Sequence, residues 1–233
     1  MLWGLRPVEQ QAAYGLAVDR IKRQIHMGFI MPGERLPAER KLAEEVGLSR
    51  VTLREALRVL EAEGYITTRR GAHGGAFVAE AIVLDDIAHK RLMLNPSHIM
   101  RIIEFREANE VSAARLACDR SALPELKRMK AALKDMQAAE SGDEFKSALS
   151  YFTLSLGDAS HNSYIADAIE HGLSQTFLPA KLYGSQELMQ LLIAHNQALL
   201  AAIESKSPDV AEQEASAILR VIRKLARETL RSV

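Results

Sequence analysis

Residues 32–78 read PGERLPAERKLAEEVGLSRVTLREALRVLEAEGYITTRRGAHGGAFV, and the spacing of their apolar side chains decides the fold of the N-terminal third. After Pro37, the residues Leu42, Ala43 and Val46 supply one apolar side of a short helix. Gly47 permits a tight turn. Ser49 is suited to cap the next helix, because its hydroxyl accepts a backbone N–H that the first turn leaves without a partner. Leu53, Ala56, Leu57 and Leu60 then repeat at helical spacing and predict a buried stripe ending near Gly64. Tyr65–Thr68 and Ala76–Val78 read as two short strands around a Gly-rich turn. Upstream, Tyr14, Val18, Ile21 and Ile25 mark an earlier helix, closed by Gly28 and Pro32-Gly33. Helix, helix, tight turn, helix and β-hairpin, in that order, predict a winged helix-turn-helix.

The polar residues of this stretch carry the chemistry. Ser49, Arg50, Val51, Thr52 and Arg54 open the third helix, where a recognition helix presents its side chains to base edges. Arginine can bond guanine O6 and N7 bidentately, small hydroxyls can approach bases or phosphates, and an exposed valine suits a thymine methyl. Arg70 and Gly71 begin a turn suited to lying along phosphates or in a minor groove. The bland alternative is that Arg54 and Arg58 pair with Glu55, Glu61 or Glu63 on a solvated face.

Working outward, the 233 residues divide into a head at 1–80, a linker at 81–96 with a short helix near Asp85–Leu94, and an all-helical body at 97–233. Thirty Lys+Arg cancel thirty Asp+Glu, so no global field draws in nucleic acid or membrane. The head alone carries 12 basic and 10 acidic residues, a slight excess of the sign a nucleic-acid module needs. The longest apolar run, Ala198–Ile203, is far short of the roughly 20 residues that span a bilayer. The start, MLWGLRPVEQ, lacks a signal-peptide layout, so a cytoplasmic protein without membrane attachment is expected. Cys118 is the only cysteine, which excludes an internal disulfide and Cys-rich zinc motifs. In the body, helices are predicted around Ile99–Ala117 and at about 124–139, 143–157, 162–178, 185–205 and 208–231. They make an antiparallel bundle of the kind that houses ligands between helices.

The motif set PGxxLPxE, LA…GxSRxTxREAL and L..EG.I…G.G.FV, over residues 10–80, closely resembles the DNA-binding domain of GntR-family bacterial regulators. The resemblance implies that Arg40 and Ser49–Arg54 contact DNA and that Arg70 and Gly71 supply the wing. FREANEVSAARLA, YFTLSLGDASHN and AHNQALLAAIESKSPDVAEQEASAIL are similar to the FadR-type C-terminal module, which implies effector binding and dimerisation.

Many members of that group hold a divalent metal with one Asp and three His. Here the matching positions are Leu149, Thr153, His195 and Ile218, so one ligand of four is present and no metal or other cofactor is expected. Arg106 stands inside an apolar helix and must find an anion, either Glu110 one turn on or an acidic effector. Arg106, His195 and Phe152 are therefore the candidate effector residues. No Ser-His-Asp, CxxC, HExxH or Walker pattern occurs, so no enzyme is expected. The expectation is a homodimeric regulator, acting as a repressor, that binds double-stranded operator DNA at a short inverted repeat and senses a small molecule, an organic acid being one candidate. Its rivals are an architectural DNA-binding protein without effector and, last, a helical-bundle hydrolase.

Overall fold

The computed structural model describes residues 13–71 and 74–231, so the head's first twelve residues and Ala72-His73 of its turn lie outside the described residues. The elements of the head are α1 (Ala13–His26), α2 (Glu39–Val46), α3 (Arg50–Ala62), β1 (Ile66–Arg69) and β2 (Gly75–Val78). Then come α4 (Ala81–Leu94) and the body helices α5 (Pro96–Arg120), α6 (Leu123–Ala138), α7 (Gly142–Ala159), α8 (Ser163–Gln175), α9 (Gln186–Glu204) and α10 (Pro208–Arg231). This is a mainly α chain, a winged helix-turn-helix followed by a helical body. Gly47 takes φ +72°, and its N–H returns to the last turn of α2, which makes the tight turn. Ser49 Oγ accepts from Thr52 N at 3.1 Å and starts α3. β1 and β2 pair antiparallel, Ile66 opposite Val78 and Arg69 opposite Gly75.

The head core joins Val18, Ile21 and Ile25 of α1 to Leu53, Ala56 and Leu60 of α3 and to Ile66 and Val78 of the hairpin. Tyr14, expected on the buried stripe, is exposed, and Ala17 takes that side of α1. The body core is contributed by all six helices and includes Ile103, Met129, Phe145, Leu192 and Leu219. Gly157, the expected end of the helix at 143–157, lies inside α7. A Cβ there would come within 3.3 Å of Ala166 Cα, so its absence lets α7 and α8 approach closely.

The two cores interlock. Met27, just past α1, is counted in the body core, while Phe177, just past α8, is counted in the head core. Helix α8 ends at Gln175 rather than near 178, since Thr176 Oγ1 donates back to Gly172 O at 2.8 Å and Pro179 follows. The freed segment carries Phe177 across to the head, where its ring stacks on His26 at 4.0 Å between centroids. His26 Nδ1 lies 2.8 Å from Ser174 O and Nε2 lies 2.9 Å from Tyr65 Oη. A carbonyl can only accept, so Nδ1 carries the proton and Nε2 accepts from the tyrosine hydroxyl. Burial pushes the His26 pKa down from 6.5 to about 3, so the ring is neutral. Lys146 of α7 donates to Leu178 O at 3.3 Å over the Phe177 ring, and burial lowers its pKa to about 8. Helix α4 adds Asp85, whose Oδ1 accepts from Ala180 N at 2.6 Å. Its Leu84 and Ala88 pack in the head core and its Leu92 in the body core.

Candidate nucleic-acid interface

Helix α3 is seated by Leu53, Ala56 and Leu60, all fully buried, so its opposite side is turned to solvent. At its N-terminus Ser49, Arg50 and Val51 are exposed, and Val51 is 71% exposed although apolar. The Ser49 and Thr52 hydroxyls bond each other at 2.8 Å, which holds both over the first turn. Among the described residues, Arg50 and Arg70 have no carboxylate partner. By contrast Arg54 Nε donates to Glu39 Oε2 at 2.8 Å and Arg40 pairs with Glu44 at 3.1 Å. Arg58 pairs with Glu55 at 2.7 Å, one of the solvated-face pairings foreseen, whereas the Arg54 pairing to α2 was not foreseen. All of these pairs are exposed, where exchanging a carboxylate for a phosphate is cheap. The eight residues Arg40, Ser49, Arg50, Val51, Thr52, Arg54, Arg70 and Gly71 therefore sit on α2, the start of α3 and the wing, and only Thr52 is half-buried.

The wing contains a residue that sequence reasoning missed. Glu34–Leu36 runs beside β2, with Val78 N donating to Glu34 O at 2.8 Å and Leu36 N to Ala76 O at 2.9 Å. Arg35 lies on that segment opposite Phe77, and its guanidinium donates to Gly74 O in the turn. Its pattern neighbours, Pro32, Gly33 and Pro37, suggested only a loop.

The body residues are placed differently from one another. Arg106 and Glu110 on α5 are each 3% exposed and pair at 2.6 Å. That satisfies the anion requirement within the chain. Gly172 on α8 makes room for the arginine stem, since a Cβ there would lie 2.6 Å from Arg106 Cγ. Phe152 is a core residue of α7. His195 on α9 is half-buried, with Nδ1 2.7 Å from Glu214 Oε2 of α10. The metal set of the resembled group does not fit: Leu149 and Ile218 are buried aliphatics, and Thr153 Oγ1 donates to Leu149 O at 2.9 Å. Among the described residues, no three His, Cys, Asp or Glu gather as a ligand set.

The family model for gntR-family bacterial regulatory proteins matches residues 13–78, and the FCD domain model matches residues 101–221. The chain is a GntR-family transcription regulator with an FCD domain. The first match covers the head described above, and the second runs from α5 into α10. The regulator is 30% identical over 151 residues to the HTH-type transcriptional regulator LutR of Bacillus subtilis, spanning 63% of this chain and 68% of LutR. It is 33% identical over 153 residues to RmpR of Mycobacterium gastri, spanning 65% of this chain and 56% of RmpR. Its fold is shared with McbR/YncC of E. coli at TM-score 0.57 and 22% identity, covering 94% of this chain and 99% of that one. The gntR family and LutR are regulators of transcription, not enzymes. Among the described residues, no helix of the regulator is long and apolar enough to cross a membrane.

Proposed function

We propose that this GntR regulator is a homodimeric, metabolite-responsive repressor that reads a short inverted repeat in double-stranded operator DNA. The observation that carries the reading is that Arg50, beside exposed Val51, and Arg70 at the wing are both exposed and have no carboxylate partner among the described residues. The phosphates and base edges of a DNA groove supply acceptors for such exposed cations. A two-fold body would offer two heads to two half-sites. In this reading residues 1–80 are the head, 97–233 the effector and dimerisation domain, and α4, within 81–96, a strut between them. A protein that acts on chromosomal operators works in the bacterial cytoplasm.

The effector is taken by the FCD domain without a metal, with Arg106 and His195 as polar anchors and Phe152 in the wall. Both anchors already hold a carboxylate, Glu110 and Glu214, so an organic acid must share or displace one of them. Selection of duplexes from a randomised pool, followed by fluorescence anisotropy, tests the DNA reading. If Arg50→Ala and Arg54→Ala both leave affinity for the selected duplex unchanged, α3 is not the recognition helix. Thermal-shift screening of small acids against the wild type and Arg106→Ala tests the effector reading. A response to no metabolite would favour an architectural protein instead.

A further inference from the structure

We propose that Arg35 is the positioning residue that sets the wing of this regulator for DNA, a role that rests on the DNA-binding reading of the head. A two-stranded hairpin is marginal by itself and needs a third partner to hold its angle. Here Ile66 and Val78 seat the hairpin in the head core and Thr68 N donates to Glu61 Oε1 of α3 at 2.9 Å, while Glu34–Leu36 runs along the outer edge of β2 with Arg35 as its central residue.

Two contacts hold its side chain, and a glycine leaves it room. The guanidinium donates to Gly74 O at the C-terminal end of the wing turn. Its Cζ lies over the Phe77 ring at 6.0 Å, and Arg69 of β1 covers the same ring at 4.4 Å. Gly75, at φ +144°, provides the space: a Cβ there would lie 2.9 Å from Arg35 Nε. One planar, five-donor group thus ties the turn, β2 and the segment before α2 together, as an ammonium on a flexible stem would not.

The location gives the clamp its consequence. Arg35, Thr68 and Gly75 line a cleft of about 280 Å³ together with Arg54 and Arg58 of α3. A duplex with α3 in its major groove and the wing in the next minor groove must pass its phosphate strand over this cleft. The angle between wing and α3 then decides whether both grooves are engaged at once. Arg54 and Arg58 are held by Glu39 and Glu55, whereas Arg35 has no carboxylate partner among the described residues and is held by the wing itself.

The test uses the full chain and a labelled duplex selected by the wild type from a randomised pool. Arg35→Met and Arg35→Lys should each weaken binding about tenfold, since lysine keeps the charge but not the fork. Gly75→Ala should do the same by displacing the guanidinium. Arg35→Met added to Arg70→Ala should cost nothing further, because the wing would already be disengaged. Hydroxyl-radical footprinting of Arg35→Met should lose protection in the flanking minor groove and keep it where α3 lies. Unchanged thermal unfolding of Arg35→Met would confirm that the head still folds, as expected for an exposed residue. Recovery of affinity in Arg35→Lys, or multiplying effects of Arg35→Met and Arg70→Ala, would make Arg35 a direct phosphate contact and overturn the proposal. Wild-type affinity in Arg35→Met would overturn it equally. Indifference to Arg50→Ala, Arg54→Ala and Arg70→Ala would instead overturn the underlying reading of the head, and the proposal with it.

Discussion

The head has two working faces built on opposite terms. On the face proposed for DNA, Arg50, Arg70 and Arg35 have no carboxylate partner among the described residues, and Arg40, Arg54 and Arg58 are held in exposed pairs. On the body side, His26, Tyr65 and Phe177 are almost wholly buried, and the polar atoms of the His26–Tyr65–Ser174 node find partners within the fold. The first face offers exposed donors to an anion. The second is complete without any ligand, and it fixes the head against the body through exchanged side chains rather than through a flexible tether. The segment from Ser174 to Ala180 thus packs the FCD domain directly against the end of α1.

The largest expected effect is at the exchanged side chains. Phe177→Ala removes a buried ring from the head core and should destabilise the chain by about 3–5 kcal/mol. If the junction couples the domains, its calorimetric trace should also split into two transitions; a single unshifted transition would deny that Phe177 joins them. Close in size is the buried pair in α5. Glu110→Gln leaves Arg106 charged at 3% exposure and should cost about 3–5 kcal/mol in denaturant unfolding.

Acid should act on the junction before it acts on the DNA face. The folded His26 pKa, about 3, lies below the unfolded value of 6.5, so the unfolded state binds the proton more readily. The stability is fully present above pH 6.5 and should fall by roughly 1.4 kcal/mol per unit as pH drops from 6.5 toward 3. Lys146, with a folded pKa of about 8, is protonated in both states over that window and adds no slope there. A His26→Gln variant should be less stable at neutral pH and lose that part of the acid slope. An unchanged slope in urea titrations at pH 7, 6, 5 and 4 would show that His26 does not titrate with unfolding.

On the DNA face the effects are smaller. Arg50→Ala should reduce operator affinity by about 1–3 kcal/mol if its fork reads a base pair. Arg70→Ala should weaken specific and random duplexes alike and reduce the salt slope by about one. The smallest effect should come from Arg58→Ala. It loses an exposed pair with Glu55 and should shift folding stability by at most about 1 kcal/mol.

The head was legible because its structure is local. Gly47 and Ser49 set the turn between α2 and α3 within a few residues of themselves, and Leu53, Ala56 and Leu60 declare the buried side of α3 by their spacing. The candidate residues on α3 and the wing follow from that register. Arg35 was not legible, because its partners Gly74 and Phe77 lie about forty residues away and nothing in PGER distinguishes a clamp from a loop. His26 was equally silent: one of its hydrogen-bond partners is 39 residues away and the other 148.

The body divides in the same way. Periodicity predicted the six helices and placed a buried charge at Arg106, but it left the choice between Glu110 and an outside anion open. By itself, then, the sequence determined the order of elements and the seating of α3, since these depend on residue type at fixed spacing. Only the tertiary structure decided that Arg106 is answered by Glu110, that α8 stops early to send Phe177 into the head, and that Arg35 holds the wing. Each of those depends on which distant surfaces meet, and burial, not spacing, sets what a polar group must find there.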